Sequence, residues 1–335
     1  MSSGQGRKRL SNFLAYEWIV MIVVALAAII AWELIFSFSS VKLNSGQVFE
    51  YYYDSNVSSS NDEAFSSMLK REQTFSFDVL DFYGTDNTKD AAVLSNRLIT
   101  HELKAIFSDL YTSSKKEEYQ SYSANKIIDV YSMYTYEDAK GGIVYSAKDY
   151  LSKFLSEQGK DPLCFENLSK DKIKENFIER LGSDNRYRAG EISEQDEYQR
   201  IEKLCNETRF LEKVLKFDDA QTKESSIFYR YTKYEDAKNT FTLIEVPSDE
   251  NEQEWRYGLN LSRLVGGDMD SAQFFRLIDS EKKGDIVLLM FNYGIYHEDM
   301  QFETISFVNT IIRQFASPSL LQNIQNQIKI RAEKL

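Results

Sequence analysis

Hydrophobic positions are unevenly spread along this chain. The run from Trp18 to Trp32 holds no polar residue, Glu33 interrupts it, and Leu34, Ile35 and Phe36 extend it. At about 1.5 Å per residue, a helix over residues 18–36 nearly covers a hydrocarbon layer of ~30 Å. Trp18 and Trp32 fall near its ends, where indole rings favour the membrane interface. Two other readings of the run stand beside this one. It is long for the apolar core of a cleavable signal peptide and no A-x-A site follows it. It lacks the polar face of a core helix.

Beyond it, residues 37–69 read as a stalk, because Ser37–Asn61 is rich in Ser, Asn and Tyr. Asp54, Asn56 and Ser58 mimic the start of a calcium loop but lack its glycine and closing glutamate. Residues 70–317 then alternate between two periods. Thr74–Tyr83 alternates apolar and polar and predicts a strand. Gly84–Thr88 predicts a turn. Ala91–Leu110 has helical spacing through Leu94, Leu98, His101, Leu103 and Ile106, and Lys126–Tyr134 predicts a second strand. Ala147–Glu157 predicts a short helix with Tyr150, Leu151, Phe154 and Leu155 inward.

Asp161–Lys216 is charged and predicts helices with two apolar stripes. One runs through Ile173, Phe177, Ile178 and Leu181, the other through Ile201, Leu204, Leu211 and Leu215. Ser226–Tyr234 and Asn239–Val246 suggest a hairpin, and Trp255–Ser262 another strand. Gly284–Asn292 is continuously apolar, as in a strand covered on both faces. Asp299–Phe315 predicts a helix ended by Pro318, and residues 318–335 a last amphipathic helix. Strand–helix–strand order at both ends predicts an α/β class.

Charge adds a direction. Arg7, Lys8 and Arg9 precede the apolar run and the next basic residue is Lys42. The positive-inside rule puts the N-terminus in the cytoplasm and the remainder outside, as a single-pass protein of the cell membrane. The whole chain has 40 basic and 52 acidic residues and a net charge of −12. An acidic surface repels nucleic acid, so none is expected as a partner. Membrane lipid along residues 18–36 is the expected one. Two cysteines, Cys164 and Cys205, could pair outside the cytoplasm, although their spacing does not require it.

Catalytic signatures are absent. There is no phosphate-cradling glycine loop, no G-x-S-x-G elbow and no H-E-x-x-H spacing. No cofactor or metal is expected. The 21 tyrosines, many beside Asp, Glu or Ser, suit recognition of sugar, peptide or protein and equally suit half-exposed strands. Tyr134–Lys140 and Tyr231–Lys238 form a near-repeat of turn-like composition.

Several segments together resemble a known family. Asp86-Asn87-Thr88 lies at a strand-to-helix turn. Ile127–Tyr134 leads into Tyr145–Leu155, and Tyr257–Ser262 precedes the apolar Ile286–Asn292. His297-Glu298 and a helix ending Phe307–Ile312 follow. The layout resembles small membrane-anchored extracytoplasmic proteins of Firmicutes, which look like degenerate relatives of the solute-binding proteins of ABC transporters. The chain departs from ordinary solute-binding proteins in lacking a lipid-attachment cysteine and in having few glycines.

The resemblance implies a two-lobed periplasmic-binding-like α/β domain that binds a small solute or peptide without catalysis. Its implied cleft residues are Thr85, Asp86, Asn87, Tyr131, Tyr134 and Trp255. An assembly subunit docking onto a membrane protein complex, or an extracytoplasmic hydrolase, are the alternatives.

Overall fold

The computed structural model describes residues 19, 22–30, 47–53, 57–59, 61–85, 103–109, 142–180, 189–222, 224–231, 255–266, 275–277, 286–290 and 302–332. It divides into two compact units, residues 1–44 and residues 45–335. In the first, residues 22–30 are helical, and Ile19, Ile22, Val23, Val24, Leu26, Ile29 and Ile30 all stand exposed. Among the described residues no helix is long and apolar enough to cross a membrane.

The second unit is a mixed α/β domain. Its strands are β1 (Val48–Tyr53), β2 (Val57–Ser59), β3 (Asp81–Thr85), β4 (Leu103–Asp109), β5 (Phe228–Tyr231), β6 (Trp255–Asn260), β7 (Phe275–Leu277) and β8 (Ile286–Met290). Its described helices are α1 (Asp62–Arg71), α2 (Ile143–Ser152), α3 (Lys170–Arg180), α4 (Glu194–Asp218), α5 (Leu261–Leu264), α6 (Glu303–Phe315) and α7 (Pro318–Ala332). Six strands form one sheet in the order β3-β1-β4-β8-β6-β5, and β2 pairs with β7 separately. β3, β1 and β4 run parallel, whereas β8 is antiparallel to both β4 and β6.

Each main element has a local cause. α1 starts at Asn61, whose side chain accepts from the Ala64 N–H at 2.9 Å, and buries Phe65, Met68 and Leu69. α4 starts with a reciprocal capping box between Ser193 and Asp196. Its buried positions Ile201, Leu204, Thr208, Leu211 and Leu215 recur at helical spacing. α6 is buried on every side from Glu303 to Ile312. Toward the sheet its Phe307 stacks on Tyr51, and toward α4 its Asn309 amide donates to the Glu207 carboxylate at 2.6 Å. The core between them is aromatic, joining Phe49, Tyr51, Tyr53, Phe65, Phe107, Phe275 and Phe307.

Three expectations are corrected. The stalk is not a stalk from Val48 onward: β1 is a fully buried strand inside the sheet, and α1 packs on it. Serine and asparagine around Val48–Tyr53 mask a strand whose tyrosines bury their rings. Residues 74–80 are not a strand, because side chains from the helices hold them as an irregular connection, and β3 begins at Asp81. Leu103–Asp109 is a strand, not the end of a helix, because both its neighbours in the sheet pair with it. The predicted strand at Lys126–Tyr134, the partner at Asn239–Val246 and the near-repeat at Tyr134–Lys140 lie outside the described residues. Among the described residues β5 pairs with β6. The helix predicted over Ala147–Glu157 lies four to five residues earlier, at Ile143–Ser152, whereas the strands at Trp255 and Ile286 and the helices over 170–180, 194–218 and 303–315 fall in the segments predicted for them.

Candidate functional site

Successive parallel strands wind in opposite directions about β1. The chain passes from β1 to β3 on one side, then to β4 on the other. Such a reversal leaves a crevice outside the carboxyl ends of the strands, where open α/β sheets bind ligands. Thr85 ends β3 and pairs across from Tyr52. Its hydroxyl donates to the carboxylate of Glu50 in β1. Glu50 is 1% exposed, and so is Lys104, which sits at the irregularity where β4 skips against β1. Two oppositely charged side chains therefore sit buried at the strands around the reversal.

Gly84, one residue before Thr85, is required by close approach. A Cβ there would lie 2.5 Å from the Tyr51 ring. The alternation places Phe49, Tyr51 and Tyr53 toward the helices, while Glu50 and Thr85 share the other face.

The structure places the expected site residues differently. Thr85 lies at the carboxyl edge. Asp86, Asn87, Tyr131 and Tyr134 lie outside the described residues, as do the expected interface residues Trp18 and Trp32 and the topology charges Arg7, Lys8 and Arg9. Trp255 is the first residue of β6, opposite Tyr231. β6 runs in the same direction as β4, because both are antiparallel to β8. Its amino end is therefore at the sheet edge opposite Thr85, with β4 and β8 between it and β1. Trp255 and Thr85 do not belong to one site.

An ionic cluster on the helical side was not legible in advance. Glu197 of α4 accepts a two-pronged bond from Arg200, at 3.0 and 2.7 Å. It also accepts from Asn176 at 3.0 Å and Arg180 at 3.2 Å, both of α3. Arg180 continues to Asp78 at 3.0 Å, and Arg200 reaches Asp78 at 3.6 Å and the Tyr150 hydroxyl of α2 at 3.1 Å. Burial alone would push the Glu197 carboxyl up, but Arg200 and Arg180 outweigh it and hold it below the usual range.

One helical turn further, Lys203 donates to the carbonyls of Gln73 and Thr74 at 2.9 and 2.8 Å. Glu303 of α6 accepts from the Ser76 N–H at 3.1 Å. Burial raises the Glu303 carboxyl, with Asp78 adding to it and Lys203 opposing. Burial likewise lowers the Lys203 ammonium, against Glu303 and Glu207. Ser76, Arg200, Lys203, Phe302, Glu303 and Ser306 line a cavity with room for about one water molecule. The available signal was positional: Glu197 precedes Ile201 and Leu204 on the same helical stripe, so a charge stands where an apolar residue is expected.

Among the described residues no group of His, Cys, Asp and Glu is arranged to hold a metal ion. No protein-family model matches the chain, and neither the curated proteins nor the solved structures contain a match.

Proposed function

We propose that this chain is a single-pass membrane protein whose periplasmic-binding-like α/β domain lies outside the cytoplasm and binds a small solute or peptide without chemical turnover. The observation that carries the reading is the reversal of winding at β1, with Thr85 at its carboxyl edge and bonded to the buried Glu50 inside β1. The exposed apolar side chains of residues 22–30 support the anchor, because lipid is the surrounding that accommodates them. Arg7, Lys8 and Arg9 ahead of them orient it with the N-terminus inside.

A catalytic reading finds less support. Glu303, the carboxylate at the cavity, faces room for a single water, and Asp78 and Glu197 are matched by Arg180 and Arg200. The second reading is a subunit that docks on a membrane protein complex by its outer surface.

The test is thermal unfolding of the full chain in detergent with amino acids, sugars and short peptides. One class raises the midpoint in a concentration-dependent way. Thr85→Val abolishes the shift and Trp255→Ala leaves it intact. If no class shifts the midpoint while the chain co-purifies with a membrane complex, the docking reading replaces the binding one.

A further inference from the structure

The two cysteines are 41 positions apart in the chain, and the loop that carries Cys164 packs on the stretch of α4 that carries Cys205. Asp161–Cys164 is a turn closed by the Cys164 N–H donating to the Asp161 carbonyl at 3.2 Å. Cys205 lies on the buried face of α4, 0% exposed. Its thiol donates to the Pro162 carbonyl at 3.7 Å. One helical turn on, Arg209 donates to the Leu163 carbonyl at 2.6 Å and lies 3.6 Å from Asp161.

A single stretch of α4 therefore grips the two carbonyls that immediately precede Cys164. Both cysteines are present as thiols, and Cys164 is half-buried. The Cys164 thiol points to the Glu166 carboxylate at 2.9 Å. Burial raises the Cys205 thiol, and Cys164 adds to the rise.

The geometry points to Cys164 and Cys205 as a convertible thiol–disulfide pair that staples the loop between Leu155 and Ser169 to α4. The oxidant is a disulfide, either a small one or that of an exchange protein. The half-buried Cys164 thiolate attacks it, forms a mixed disulfide and releases one thiol. Cys205 then gives up its proton and attacks the Cys164 sulfur, releasing the second thiol. Two thiols are oxidised and one external disulfide is reduced. Burial pushes the Cys205 thiol up to about 12, so it is the resolving partner and the second step is the slow one. The inference does not depend on a ligand at the β1 edge.

The experiment treats the native full-length protein with oxidised glutathione and maps its peptides without reduction. The expected product is a Cys164–Cys205 cross-link that dithiothreitol removes. Protein isolated with that link already in place counts the same way. Cys205→Ser is expected to accumulate glutathione at Cys164, whereas Cys164→Ser takes up none while folded. Wild-type protein that stops at the Cys164 adduct, or that cross-links only in denaturant, would overturn the proposal.

Discussion

Gln73 is held in the left-handed backbone region, with φ 49°. It closes α1 in a Schellman arrangement, its N–H donating to Lys70 and that of Thr74 to Leu69. Glycine adopts this conformation without the Cβ penalty, so Gln73→Gly should stabilise the domain by about 0.5–1 kcal/mol in denaturant titration. A loss of stability would show that the glutamine side chain matters there. Glu303 gives a pH signature of definite sign. Its folded carboxyl is raised, so its proton is bound more tightly folded than unfolded. Stability from this group is therefore full at acid pH and lost as pH rises through the raised value. Glu303→Gln should flatten that part of the profile and be the more stable protein on its alkaline side. Circular-dichroism melts across the range decide it, and a profile unchanged from wild type would refute the assignment. Glu197 has the opposite sign, because its carboxyl is lowered. Neither residue was legible by itself, since an acid in the first turn of a helix ordinarily reads as a solvated end.

At the scale of elements, the cluster at Arg200 joins α2, α3, α4 and the connection before β3. Removing one partner leaves a charge buried without compensation. Glu197→Ala should cost about 3–5 kcal/mol, read from chemical unfolding, and Glu197→Gln less. Near-equal losses from the two would mean that the charge contributes little beyond shape. Elements with one strong period were legible: β8 as a continuous apolar run, α4 and α6 as stripes. β1 and β4 were not, and for one reason. Both are short strands buried on two faces, so they lack the alternation that marks a strand. In β4 the sequence Leu103-Lys-Ala-Ile-Phe107 also continues the helical spacing of Leu94, Leu98 and His101. Residues 74–80 failed the other way. They alternate, but their backbone is held by Lys203 and Glu303 and not by a ladder.

For the whole molecule, residues 45–335 cluster as one compact unit, where two lobes were a possible outcome of the sequence reading. The candidate site was legible only in part. Thr85 followed from a turn signal at a strand end. Trp255 follows only from the resemblance, and no local pattern reveals the direction of a strand within a sheet. The pairing of β4 with β8 sets a timetable for the chain. Phe107 aligns with Leu288, and Tyr51 stacks on Phe307, so early strands wait for partners made near the end of synthesis. Such long-range closure folds slowly. Until residues 286–315 arrive, Phe49 and Tyr51 lack Phe307 and β4 lacks its β8 partner, so part of the aromatic core stands uncovered and the nascent domain is a natural client for a chaperone.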